Sequence, residues 1–437
     1  MTTASEIKKV YARRVWDSRG RPTVEVEVHT VGGGAQTGKI GRAIAPAGAS
    51  TGSGEALDRR DGPREASAPF GGLDVTAAVG AVNGEIASAL RGLDAADQAL
   101  VDQVLIDLDG SANKSRLGGN ALIATSMAVA HAAAAARGLP LWRALGATDE
   151  ATLPLPEIQI FGGGAHAGRR LDVQDFMCIA VGARSFAEAL DWTAEVYRAA
   201  GTLLADAGKL QGVADEGGFW PAFDDNEQAL GFLMRAIESA GLVPGEQMAI
   251  SLDIAASEFG AQGRYTLARE GRVLDSGELI DLLLGWLNRY PIVSIEDPLA
   301  EDDEAALVEF TRRAGAHVQV IGDDFLVTNA QRVRAAAAVG ACNSVLIKPN
   351  QAGTLSETRA AFDAARAARW GAVVSARSGE TEDVTIVHLA LGWGATQLKV
   401  GSFARSERMA KWNEGLRIAD ELDNGGALPP RESFIWG

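Results

Sequence analysis

Cysteine is scarce in this chain: Cys178 and Cys342 are the two in 437 residues. Two thiols cannot make a disulfide framework, so a reducing compartment, the cytoplasm, is the expected setting. The opening MTTASEIKKV lacks the apolar core of a signal peptide. No run approaches the roughly 18 apolar residues of a membrane span, and no membrane partner is expected. Cations are the minority charge, 41 Lys+Arg against 57 Asp+Glu, for a formal net charge of −16. That balance excludes nucleic acid as the main partner, because phosphate backbones demand clustered cations. A locally basic pocket for a small anion stays open. Complete GxGxxG and Walker-type loops are also missing, so nucleotide binding has no positive motif. What remains is ordinary for a globular protein, with 47% hydrophobic and 22% charged residues. A chain of this length buries a large core and divides into two or three domains.

The N-terminal stretch reads as β. VEVEVHT (Val24–Thr30) alternates apolar and polar with period two, as a half-buried strand does. A turn at Gly32, Gly33 and Gly34 precedes a second strand near Lys39–Ile44. APAGASTGSGEA, around Ser50, is too rich in Gly, Ala and Ser for regular structure. It is an exposed loop, either a lid that excludes water or a plain solvent loop. From Val75 to about Leu145 the pattern is helical, most clearly in NALIATSMAVAHAAAAARG, which Gly138 and Pro140 stop. A boundary there gives one domain over residues 1–138 and a second over 150–437.

Beyond LPLPE (Leu153–Glu157), which opens the new segment, short β-branched runs alternate with helical stretches: MAISLDIA, YPIVSIEDP, HVQVIGDD, NSVLIKPN, WGAVVSARSG and ATQLKVGS. Strand-then-helix repetition predicts parallel βα units, and six or more suit a closed barrel. Each run ends in a polar or ionisable residue: Asp253, Glu296, Asp323, Lys348, Arg377 and Lys399. Barrel active sites are built at those strand ends. One such residue means little; six in register mark a site.

Three converging carboxylates, Asp253, Glu296 and Asp323, repel one another unless a cation lies between them, and oxygen-only ligands suit Mg²⁺. Singly, each could cap a helix or pair with a lysine, and the doublets in IEDP and GDD leave the choice of ligand open. Lys348 and Lys399 are desolvated lysines, each either a base with a lowered pKa or a counter-charge to the carboxylates. Glu216, in VADEGGF, is a general acid if burial raises its pKa, or otherwise an exposed turn residue. His166 lies in FGGGAHAG, a loop that lets backbone approach a ligand. His29, His131, His317 and His388 fall on strand-like or helical stretches, with core or surface roles.

Ten stretches carry a family resemblance. They are VYARRVWDSRGRPTVEVEV, GASTGSGEALDRRDG, NKSRLGGNALIATSMAVA, VADEGGF, SLDIAASEF, SIEDP, GDDFLVTN, LIKPNQAGTLSET, SGETED and ARSERMAKWNEGLRI. Together they resemble the enolase family over nearly the whole chain. The resemblance implies an α/β enolase fold: an N-terminal α+β capping domain, then a C-terminal β/α (TIM-like) barrel with irregular first units. It implies Mg²⁺-dependent proton abstraction alpha to a carboxylate, followed by elimination, on a small phosphorylated acid of the 2-phosphoglycerate and phosphoenolpyruvate type. By position, Asp253, Glu296 and Asp323 match the metal ligands, and Ser50 matches a ligand of a second, substrate-associated metal. Lys348 matches the base, and Glu216 the group that assists hydroxide departure. Lys399 matches a contact to the substrate carboxylate, while Arg377 and Ser378 match phosphate contacts. A homodimer or larger homo-oligomer is implied too, with Glu25–Arg417 and Arg13–Glu407 pairs across the interface.

Departures from the family's motifs cluster on one side of this chemistry. SHRSGETED reads SARSGETED, placing Ala376 where the family has histidine. QEF reads QDF, which shortens to Asp175 the carboxylate that helps the acid step. NGGSHA becomes GGGAHA through Gly162 and Ala165, PSGAST gains Ala47, KVNQ gains Pro349, and Trp220 follows GGF. Ala376, Gly162 and Ala165 are expected to open the pocket. Metal ligands and base are retained, while substrate and acid contacts change. Three readings follow. The first is an active enzyme on an altered substrate, such as an enolase-like carboxyphosphonoenolpyruvate synthase of phosphonate biosynthesis. The second is an ordinary glycolytic enolase, and the third a weakly catalytic scaffold, which would have no need of the retained ligands.

Overall fold

The computed structural model describes residues 3–32, 38–63, 65 and 67–437, so Gly33 and Gly34 of the expected turn lie outside them. Strands β1 (Ile7–Trp16), β2 (Pro22–Thr30) and β3 (Ile40–Ile44) form an antiparallel sheet in that order. Asp17 Oδ1 accepts the amides of Arg19 at 2.8 Å and Arg21 at 2.9 Å, which shapes the β1–β2 turn. β2 departs from the half-buried expectation. Val24, Val26 and Val28 are buried in the core, and Glu25 and Glu27 are buried as well. The carboxylates tolerate this because Arg13 and Arg42 cover them, with Arg42 Nη2 2.7 Å from Glu27 Oε1. Arg13 and Glu25 are thus bonded to each other within the chain.

The alanine-rich run forms the helix Gly119–Ala136, ended at Gly138 with φ +69°. Its 18 residues and mean hydropathy of 1.2 are long and apolar enough for a membrane span by length and composition, but most of the helix is buried inside the protein. It packs under β2 and β3 instead. At Gly41 a Cβ would meet Ala128 O at 2.1 Å, so backbone touches backbone there. Ser126 of this helix and Ser356 of the barrel both donate to buried Asp102, at 2.7 Å each, joining the two parts.

The second part supplies β4 (Leu155–Gly162), β5 (Asp175–Ile179), a hairpin of β6 (Leu210–Val213) and β7 (Phe219–Pro221), and β8 (Ala249–Asp253). A small side sheet follows, β9 (Gly260–Ala261), β10 (Arg264–Leu267) and β11 (Arg272–Asp275). Then come β12 (Ile292–Glu296), β13 (Gln319–Gly322), β14 (Ser344–Ile347), β15 (Gly371–Ser375) and β16 (Gln397–Gly401). β16 pairs with β4 and closes an eight-stranded barrel. All six strands expected from the runs are present and mutually parallel. β5 runs antiparallel to both its neighbours, β4 and β8. Helices wrap the outside; Ser276–Arg289 starts from a capping box of Asp275 and Glu278.

The lumen is unusually polar. Glu157, Gln159, Ser251, Ser294 and Ser344 are fully buried on its strands. Gln319 and Gln397 exchange hydrogen bonds of 2.8 and 3.0 Å across it. Polar side chains directed inward are why β4 does not read as an apolar strand.

Candidate active site

The parallel strands deliver charge to one mouth of the barrel. Asp253 and Glu296 are the last residues of β8 and β12 and lie side by side in register. Asp323 and Lys348 each follow their strand by one residue. Lys399 corrects the expectation of a strand end: it is the middle of the five residues of β16 and reaches up through the lumen. Its Nζ lies 2.8 Å from Asp253 Oδ2, 2.7 Å from Glu296 Oε2 and 4.0 Å from Asp175 Oδ2. Lys348 pairs with Asp323, whose other oxygen accepts Gln351 Nε2 at 2.9 Å.

Neither lysine has the lowered pKa expected from desolvation. Burial alone would lower Lys348, but the charge of Asp323 outweighs it and the pKa is raised. Lys399 is raised well above the ordinary lysine range, burial again being overcome, here by Asp253 and Glu296. Burial and the charge of Asp253 push Glu296 up. Asp253 is lowered, because Lys399 more than offsets its desolvation.

Within IEDP, hydrogen bonding distinguishes the two carboxylates. Asp297 accepts the amides of Asp323 and Asp324, 2.8 Å at each oxygen, so it braces the loop. It nonetheless groups tightly with Asp323 and Asp324. Glu296 Oε1 is buried with no hydrogen-bond partner. An orphaned carboxylate oxygen beside further carboxylates is a donor for a hard divalent cation such as Mg²⁺. Among the described residues the acidic group whose ligand atoms lie within 4.8 Å of one another is Asp297, Asp323 and Asp324, while Asp253 and Glu296 lie outside it, paired with Lys399.

The facing wall comes from the irregular first strands. Asp175 is fully buried at the start of β5 and accepts from Gln159 Nε2. His166, on the short turn Gly164–Ala167, places Nδ1 3.3 Å from Asp175 Oδ1 and Nε2 4.0 Å from Glu216 Oε1. Burial would lower the imidazole pKa, yet the two carboxylates raise it to about 9. Glu216 is buried, not exposed as a turn residue would be, and burial raises its pKa. Its turn closes through Gly217 at φ +95° and tucks under Ser402, whose amide donates to Glu216 O at 2.8 Å. His166, Asp175 and Glu216 form the second tight group of candidate ligand atoms.

The loop around Ser50 lies over the mouth and is fastened there. Arg377 Nη2 donates to Ser50 O at 2.9 Å, and Ser53 Oγ to Glu301 at 2.9 Å. The Nη1 and Nη2 groups of Arg377 are spent on Ser50, Glu55 and Asn350, leaving Nε. Arg377 is therefore a neutralised cation rather than a free one. Ser378 follows, buried, with its carbonyl accepting Arg408 Nη2 at 2.6 Å.

Gly162 does not open the pocket as expected: a Cβ there would meet Ala214 Cβ at 2.5 Å and Gln159 Nε2 at 3.3 Å. Trp220 likewise fills space, its ring 2.8 Å from where a Cβ at Gly168 would stand. Ala376 is buried, and its amide donates to Lys399 O at 2.8 Å. Reading the sequence missed Gln159, Gln174, Glu55 and Gln351, which orient these groups; Gln174 Nε2 holds Asp253 Oδ2 at 3.0 Å. Glu55 had a signal, lying three residues beyond Gly52 of the lid.

Two family models match this chain. Residues 7–145 match the enolase N-terminal domain, and residues 150–433 match the enolase C-terminal TIM barrel domain.

Proposed function

From the membership of this chain in the enolase family we propose a Mg²⁺-dependent lyase that removes a proton alpha to a carboxylate on a 2-phosphoglycerate-like or phosphoenolpyruvate-like acid. The observation that carries this reading is the convergence of Asp253, Glu296, Asp323, Lys348 and Lys399 at one barrel mouth, opposite His166, Asp175 and Glu216. Asp253, Glu296 and Asp323 would hold a divalent cation and Ser50 a second, and the two would supply positive charge for the substrate carboxylate. The other work falls to side chains. Lys399 holds the substrate carboxylate. Lys348 takes the alpha proton at Nζ once it has shed its own. Glu216, a carboxyl whose pKa burial raises, gives a proton to the departing hydroxide. His166 and Asp175 orient Glu216, and Ser378, with the one donor left on Arg377, its Nε, holds the phosphorus-borne anion. The closed loop over these groups excludes water.

The substitutions favour a reshaped substrate over plain 2-phosphoglycerate. Ala376 removes a side chain on the anion side, and Asp175 withdraws a carboxylate on the acid side. A carboxyphosphonoenolpyruvate-type compound, bulkier at phosphorus, is the specific alternative they support. The test is kcat/KM for 2-phosphoglycerate with Mg²⁺. A value of about 10⁴ M⁻¹s⁻¹ or above makes this an ordinary enolase. A value near zero that rises in the Ala376→His, Asp175→Glu double variant marks a recruited enzyme. No turnover of any such acid by either form would leave a binding or scaffold protein.

A further inference from the structure

Arg19 belongs to the N-terminal sheet, yet its side chain is only 7% exposed and ends at the barrel mouth. The Asp17 turn projects it across Gly379, where a Cβ would stand 2.4 Å from Arg19 Nη2. Nothing but glycine leaves that passage clear. Arg19 Nη1 donates to Ser378 Oγ at 3.1 Å, and Nη2 donates to Ala47 O at 2.8 Å and Gly48 O at 3.4 Å. One planar fork therefore touches both the hydroxyl on the anion side and the first residues of the lid. Its Nε is buried without a partner.

A serine hydroxyl offers one hydrogen and two lone pairs. Arg19 fills a lone pair of Ser378 and cannot receive its hydrogen, so that hydrogen is left for an acceptor. Arg408 already occupies the Ser378 carbonyl, fixing the backbone beneath it. A cation behind a hydroxyl also polarises it and strengthens its donation. With the Nη groups of Arg377 spent on Glu55, Asn350 and Ser50, the donors still free on this side are few.

We propose that Arg19 is a positioning residue: it sets Ser378 as a hydrogen-bond donor to the substrate's phosphorus-borne anion and anchors the lid at Ala47 and Gly48. The proposal rests on the reading above that this anion lies at Ser378. It predicts coupling, because Arg19 acts through the Ser378 hydroxyl.

The experiment is a double-mutant cycle on the full-length protein. Phosphoenolpyruvate binding is titrated by calorimetry with Mg²⁺, and thermal unfolding checks each variant. Arg19→Gln should weaken binding roughly tenfold, the equivalent of about 1.4 kcal/mol. In the Ser378→Ala background the same change should cost under about threefold, since its target is gone. Arg19→Lys, run through the same cycle, keeps the charge without the fork and serves if Arg19→Gln unfolds. Equal losses in both backgrounds, or no loss at all, would overturn the role of Arg19 while leaving the anion site standing. Failure of the wild type to bind either phosphoenolpyruvate or inorganic phosphate would overturn the anion site, and this proposal with it.

Discussion

The two walls of the barrel mouth are built differently. Asp253, Glu296, Asp323 and Lys348 stand at the ends of parallel strands, where the ladder fixes their spacing. His166, Asp175 and Glu216 stand on a short turn, the start of an antiparallel strand and a glycine-rich bend. The first wall keeps every group the family resemblance implies. Substitutions gather on the second, at Gly162, Ala165 and Asp175, whereas Ala376 follows β15 of the parallel ladder. On the proposed reading, the groups that hold the metal and take the proton would stand on the rigid ladder, and most of the altered contacts where the backbone can be rebuilt.

Three changes would break or sharpen that contrast. Lys348→Ala should have the largest effect, cutting exchange of the substrate's alpha proton with D₂O by a factor of roughly 10² to 10⁴, read by NMR. Surviving exchange would move the base to Lys399. Asp323→Asn comes next: the Mg²⁺ concentration for half-saturation, titrated calorimetrically, should rise roughly 100-fold. Activity retained in excess chelator would remove the metal from the first wall altogether. The smallest effect belongs to Gly162→Asn, which restores a family side chain on the second wall. Its Cβ collides with Ala214, so stability should fall by about 1–3 kcal/mol in chemical denaturation, without gain of 2-phosphoglycerate turnover. Adding Ala214→Gly should return part of the loss. A Gly162→Asn protein as stable as wild type would mean that the second wall had not been repacked.

Sequence patterns follow the same division. Six parallel strands are legible because each is a β-branched run with one ionisable residue at or just past its end, except β16, where Lys399 lies mid-strand. β4 and β5 are not, because Glu157 and Gln159 point into the lumen and break the apolar run, and Asp175 leads its strand instead of ending it. Glu216 reads as exposed from the glycines beside it, since nothing local reveals that Ser402 covers the turn. Of the two readings of the lysines, the ion pairs agree with the counter-charge: desolvation is visible in an apolar strand, whereas the carboxylates that overrule it arrive from other strands. Arg19 escaped notice because its contacts lie more than three hundred residues away at Ser378, and only the fold brings them together.

The reversed direction of β5 has an evolutionary consequence. Because that strand begins at the mouth, Gln159, His166 and Asp175 fall within one short uninterrupted stretch of chain, and so within one short stretch of coding sequence. The parallel strands scatter their contributions from Asp253 to Lys399. A recombination event spanning Leu155 to Ile179 would exchange Gln159, His166 and Asp175 at a stroke and leave Asp253, Glu296, Asp323 and Lys348 untouched. A lineage of this architecture can therefore vary His166 and Asp175 together in one segment, while Ala376 has to change separately.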